Sequence, residues 1–214
     1  VPPSQGTDDK PTQPVESEPE DKTPLYSDVE ADRWSAEYIE KLSKMQVLSG
    51  YEDGTFKPEK SITREEFVKV VLEAFEIPVD ADYEQNFVDV LSGAWYESYI
   101  KTCAKLGIVN GLSAEKFGVG EPISRQDMIT IIARVMEYLN LSLPGLDLEN
   151  AEFLDIEDIA HYARPYVKLF AGHGIISGNE KGEFIPRGNA TREQAAKIIC
   201  LTLEKRNLSA GSGE

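Results

Sequence analysis

Histidine is nearly missing from this 214-residue chain, with only His161 and His173 present. No Ser-His-Asp, Cys-His or metal-spaced cluster can be assembled around them, which leaves nucleophilic and metal-assisted catalysis without visible residues. Paired carboxylates could serve a glycoside hydrolase, yet no pair stands out among the 38 acidic residues. The sequence reads as a non-enzyme that needs no cofactor or metal. Cysteine is equally scarce, and Cys103 and Cys200 are too few for a disulfide framework. No apolar run approaches the roughly 18 residues of a membrane span, and no secretory signal peptide is visible at this N-terminus. Basic charge is in deficit, 22 residues against 38 acidic ones, for a formal net charge of -16. Such a chain is repelled at long range by nucleic acid and by anionic membranes, so neither is an expected partner.

Aliphatic side chains are scarce in the first 24 residues, which are crowded with Pro, Glu, Asp, Ser and Thr and hold only Val1 and Val15. This stretch cannot bury enough apolar surface to offset chain entropy. Residues 1–24 are therefore expected to form a disordered acidic linker to a larger attached protein, and 207–214 a loose tail.

Between those ends the chain repeats itself, first after 61 residues and again after 66 or 67. Each copy opens on aromatic-x-Asp-apolar: Tyr26-Ser27-Asp28-Val29, Phe87-Val88-Asp89-Val90 and Phe153-Leu154-Asp155-Ile156. Helical spacing follows in Trp34, Tyr38, Ile39 and Leu42, matched by Trp95, Tyr99, Ile100 and Cys103, then by Tyr162, Tyr166, Val167 and Phe170. That spacing predicts a first helix with a buried stripe. A glycine comes next, Gly50, Gly111 or Gly178, kept for a positive dihedral or a close approach. A lone aromatic then precedes the second helix: Phe56, Phe117 or Phe184. The helix itself starts at Thr63-Arg64-Glu65-Glu66, Ser124-Arg125-Gln126-Asp127 or Thr191-Arg192-Glu193-Gln194. These fit capping boxes, the middle one imperfect because Asp127 is short. Phe67, Val70, Val71, Ala74 and Phe75 predict the buried face of that helix, and the same offsets give Met128, Ile131, Ile132, Val135 and Met136, then Ala195, Ile198, Ile199, Thr202 and Leu203. The repeats span 25–79, 80–145 and 146–206. Both cysteines fall at core positions and read as buried thiols. Asp53-Gly54-Thr55 lacks the alternating acids of a calcium loop and reads as a turn.

Together these motifs, with Asp53-Gly54-Thr55-Phe56-x-Pro58 and Ile62-Thr63-Arg64-Glu65-Glu66, closely resemble the S-layer homology domain of bacterial surface proteins. The resemblance covers all three copies. It implies an all-α fold, three tandem helix–loop–helix repeats in a pseudo-threefold bundle, with short extra helices or turns in the loops. It also implies a secreted cell-wall anchor that binds secondary cell wall polysaccharide, commonly pyruvylated, in grooves between the copies. Carried over residue by residue, the implied contacts are Arg64, Arg125 and Arg192, then Gly50, Gly111 and Gly178, then Trp34, Trp95 and Tyr162. Asp28, Asp89 and Asp155 complete the set, with the capping hydroxyls of Thr63, Ser124 and Thr191. The middle copy departs with Ser113-Ala114-Glu115-Lys116-Phe117, the third lacks the Trp, and the first has Gln46 where Gly107 and Gly174 stand. The grooves are not expected to be equivalent.

Helix electrostatics reach the same residues without the family. Arg at the first helical position opposes the macrodipole by roughly 0.3–1 kcal/mol, and an anion held by free helix amides and the guanidinium would supply a reason. The competing reading pairs each Arg with an internal carboxylate, such as the early Asp of a neighbouring copy. If the anion is the reason, Arg64→Ala and Arg192→Ala should weaken binding and leave melting nearly unchanged. The two Trp residues suit a core as well as a sugar platform, and the early Asp suits a first-helix cap. The rival function is a self-assembly module that binds peptidoglycan or lattice partners.

Overall fold

The computed structural model describes residues 24–80, 82–143 and 153–210. The expected acidic linker and the end of the tail lie outside these residues. Six α-helices carry the fold: α1 (Ala36–Lys44), α2 (Arg64–Ala74), α3 (Glu97–Lys105), α4 (Arg125–Tyr138), α5 (Arg164–Gly172) and α6 (Arg192–Ala210). Among the described residues a 3₁₀ turn, Ile156–Asp158, precedes α5. Among the described residues there is no sheet, only isolated bridges. α6 runs to Ala210, so the tail expected from residue 207 begins as helix.

The second helices start where the capping pattern places them. Thr63 Oγ1 accepts from the Glu66 amide and the Glu66 carboxylate accepts from the Thr63 amide, a reciprocal pair that Thr191 and Gln194 repeat. Ser124 accepts from the Asp127 amide, but Asp127 does not reach back. All fifteen residues assigned to the inner face of these helices are buried. Ile39 and Leu42, Ile100 and Cys103, and Val167 and Phe170 bury the first helices against them.

Packing follows a cycle. α2 packs on α3 and α4 on α5, so the second helix of each copy holds the first helix of the next, and α6 closes the ring on α1. The segments leading into the second helices repeat this order at the centre. The Ile123 amide donates to the Ile62 carbonyl at 3.0 Å, Ala190 to Ile123 at 2.9 Å, and Ile62 back to Ala190 at 3.0 Å. This closed circuit is the pseudo-threefold axis. A single hydrophobic cluster contains residues of all three copies.

Both cysteines are free and buried, Cys103 in α3 and Cys200 in α6. Burial pushes each thiol up to about 12, so they act as small apolar side chains.

Candidate functional site

Each copy folds its loop around the lone phenylalanine, which is fully buried beside the opening aromatic. Ring centroids stand 5.4 Å apart for Tyr26 and Phe56, 5.8 Å for Phe87 and Phe117, and 5.3 Å for Phe153 and Phe184. The early Asp fixes the loop from one side. The amides of Phe56 and Lys57 donate to Asp28 at 2.7 and 2.8 Å, and those of Phe184 and Ile185 to Asp155 at 2.7 Å each. Asp89 takes three amides, from Phe117, Gly118 and Val119. Burial would raise its pKa, but the three amides together hold it below the ordinary carboxylate range. The role expected for these residues as first-helix caps is corrected, since the capping positions Ser35, Tyr96 and Ala163 receive no side-chain cap.

The arginine of the preceding copy fixes the same peptides from the other side. Arg64 Nε donates to the Phe117 carbonyl at 2.9 Å, Arg125 Nε to Phe184 at 2.8 Å, and Arg192 Nε to Phe56 at 2.9 Å. A second donor reaches Asn110 O at 3.2 Å, Ser177 O at 3.5 Å and Ser49 O at 2.7 Å respectively. Each guanidinium also lies over the ring of that phenylalanine, at 5.1, 4.9 and 4.6 Å in the same order. One loop peptide is thus gripped between an aspartate of its own copy and an arginine of the previous one.

This arrangement corrects two expectations. An anion is not needed to explain arginine at a helix start, because neutral carbonyls of the next loop already receive it. Nor are the first helical amides free: Arg64 N donates to Glu121 O, Arg125 N to Gly188 O and Arg192 N to Lys60 O. The internal partner was expected to be the early Asp. It is the backbone instead, with one carboxylate, Asp127, standing 3.5 Å from Arg64.

Beyond the arginines the loops and second helices wall off grooves. One, about 470 Å³, is lined by Arg125, Gly178, Asn179, Gln194, Lys197 and Trp34 among others. Its counterpart, about 360 Å³, is lined by Arg64, Gly111, Leu112, Asp127, Arg134 and Tyr162. Both grooves therefore draw on the whole ring: the arginine from one copy, the loop and helix from the next, the aromatic from the third. By the same register Arg192, Gly50 and Trp95 belong together. The aromatics are not the buried start of a stripe. Trp34, Trp95 and Tyr162 are 50%, 53% and 49% exposed, in the turns before their helices.

A family model for the S-layer homology domain matches residues 25–68, 86–129 and 152–196, one match per copy. The chain belongs to the S-layer homology domain family. Such domains are non-catalytic modules that bind cell wall polysaccharide and anchor the proteins that carry them, so this chain is part of a secreted, cell-surface protein. It is 35% identical over 86% of its length to an amylopullulanase of Thermoanaerobacterium thermosulfurigenes. It is 28% identical over 80% to a surface-layer 125 kDa protein of Lysinibacillus sphaericus, and 32% identical over 52% to a cellulosome-anchoring protein of Acetivibrio thermocellus. The chain spans 10%, 14% and 26% of those three proteins.

Within the S-layer homology domain frame, the remaining expected site residues fall into place as supports. The glycines are needed for close approach, not for a positive dihedral. A Cβ on Gly50 would sit 2.2 Å from the Tyr26 ring and one on Gly111 2.4 Å from the Lys116 carbonyl, while Gly178 has more room at 3.1 Å. Asp28, Asp89 and Asp155 line neither described groove, and the hydroxyls of Thr63, Ser124 and Thr191 serve as helix caps. Sequence reasoning passed over Lys197, Asn179, Asp127, Arg134 and Tyr51. A signal was available, since the second helices carry polar residues at their third and sixth positions, Gln194 and Lys197 in α6, next to the apolar stripe. It also missed Arg33, which donates to Glu193 at 2.8 Å and helps close the third copy on the first.

Proposed function

We propose that the chain anchors its parent protein by binding secondary cell wall polysaccharide, with a pyruvate ketal as the recognised group, in the inter-copy grooves. The observation that carries this reading is the groove where Arg125 and Lys197 face a half-exposed Trp34. Two cations against one carboxylate, Glu183, in a cleft of a chain with net charge -16 are a local preference for an anion against the field of the whole molecule. An exposed indole offers an apolar face to a sugar ring and an N–H to its hydroxyls. Arg64, Arg125 and Arg192 form the floor of the grooves, Gly50, Gly111 and Gly178 let the loops close, and Trp34, Trp95 and Tyr162 form the outer wall. The early Asp and the capping hydroxyls act behind these, as positioning residues.

The test is co-sedimentation with purified sacculi before and after chemical removal of the secondary polysaccharide. Binding to intact sacculi only is the expected result. Binding that survives stripping would replace this reading with a peptidoglycan or protein partner.

A further inference from the structure

The three arginine sites share one plan, yet the surroundings of the guanidinium differ at two register positions. One follows the loop glycine and holds Tyr51, Leu112 or Asn179; the other is the third residue of the second helix, Glu66, Asp127 or Gln194. In the first copy Arg192 is sandwiched between Phe56 at 4.6 Å and Tyr51 at 5.0 Å, and is only 5% exposed. Lys60 Nζ donates to the Tyr51 hydroxyl at 3.0 Å and fixes the ring there. In the second copy Asp127, released from capping by its short side chain, stands 3.5 Å from Arg64 and accepts from Tyr162 at 2.6 Å. A carboxylate of the protein occupies the place where a ligand carboxylate would sit, and Arg64 is 4% exposed.

The third copy has neither device. Asn179 turns aside to donate to Glu183 at 2.9 Å, and Gln194 is neutral and engaged by the Thr191 amide. Glu183 lines the groove but is held by that amide group. Arg125 makes no ion pair among the described residues, its second bond is stretched to 3.5 Å, and it is the one of the three arginines that is only partly buried. Lys197, 5.5 Å from the Trp34 ring, is a second cation, as Arg134 is in the Arg64 groove, and Ile176 and Ile185 give the cavity an apolar wall.

We propose that the chain has one working saccharide site, the Arg125 groove, which takes an acidic sugar carrying a carboxylate beside a methyl group, and that Tyr51 and Asp127 are built-in occupants of the other two. The inference rests on the polysaccharide reading above. Cations and isoleucines in one cleft match that pair of groups, which occurs both in a pyruvate ketal and in the lactyl ether of muramic acid.

Titration calorimetry of the full chain decides it, using a pyruvate-ketal methyl glycoside, N-acetylmuramic acid and the neutral parent glycoside. The expected result is one equivalent of the pyruvate-ketal glycoside and no uptake of the neutral one; uptake of N-acetylmuramic acid instead would move the source to glycan strands stripped of their stem peptides and overturn the polysaccharide reading. Lys197→Gln should weaken binding by about tenfold or more, and Lys69→Gln, at the equivalent place in the first copy, should not. Asp127→Asn keeps an acceptor for Tyr162, removes the charge, and should raise the stoichiometry from one to two. Uptake of two or three equivalents by the unaltered chain, or full affinity in Lys197→Gln, overturns the inference while anchoring stands. Failure to bind either acid by a chain that still sediments with sacculi also overturns it; failure in both assays sinks the anchoring reading too.

Discussion

Removing the Asp89 carboxylate should cost the second copy its loop. Three amides converge on it at 2.7–2.9 Å, two of them on one oxygen. Bonds to a charged acceptor are worth about 1.5–3 kcal/mol each when desolvated, but this loop is partly open, so water will recover some of each amide's loss. About 1 kcal/mol apiece gives about 3 kcal/mol for Asp89→Ala. In a fold of this size that corresponds to a fall in Tm of roughly 6–12 °C. Urea denaturation followed by circular dichroism at neutral pH is the direct assay. Acid supplies a check on the cause. Since folding lowers the pKa of Asp89, its contribution is complete above the unfolded value near 4 and fades as pH falls through the folded one. The gap between the unaltered chain and the variant should therefore narrow below about pH 4. A midpoint unchanged at neutral pH, or a gap that widens in acid, would refute the clamp.

Arg192→Ala should destabilise by about 2–4 kcal/mol in the same assay, because it empties a buried ring sandwich and strands the Phe56 and Ser49 carbonyls. Arg125→Ala, at a partly exposed site with one stretched bond, should cost about half as much; equal losses would contradict the burial difference. Gln46 adopts φ 60° where Gly107 and Gly174 take 70° and 65°, so Gln46→Gly should gain about 1 kcal/mol, read as a higher urea midpoint. Thiol titration with a chromogenic disulfide should find Cys103 and Cys200 unreactive until the chain unfolds, and prompt labelling of the native protein would show their burial to be wrong. Sacculus binding should weaken little, or strengthen, as salt rises from low to moderate levels, since screening removes a net repulsion; a steep loss would point to long-range attraction.

Helical periodicity carried most of the fold. Apolar residues at i, i+3, i+4, i+7 and i+8 have one way to be buried, so fourteen of the fifteen positions mark the inner face directly and Thr202 follows from their register. The same logic misled at Trp34. Its spacing to Tyr38 is helical, yet α1 begins only at Ala36, and the turn before it swings the indole out over a groove. Arg192 was legible as an anomaly at a helix start, but its remedy was not. The Phe56 carbonyl lies 136 residues away and becomes a neighbour only once α6 closes on α1. Local pattern shows that a charge is misplaced; cyclic topology alone shows what receives it.

The division of labour among the arginines follows from that topology. Each one must first hold a loop to the preceding copy, which its Nε and one further donor accomplish, so none can be spared for ligand alone. What a ligand meets is the remaining edge of the guanidinium, and the neighbours decide whether that edge is open. A guanidinium already fixed by two carbonyls and a ring loses little rotamer freedom when an anion arrives, which favours binding where the edge is free. Repetition thus preserves the clamp in all three copies while single side chains, Tyr51, Asp127 and Asn179, set each groove apart. Three equal sites and one strong site differ by substitutions that never touch the arginines, so on the proposal above substitution at Asp127 or Tyr51 should open the other two sites one at a time.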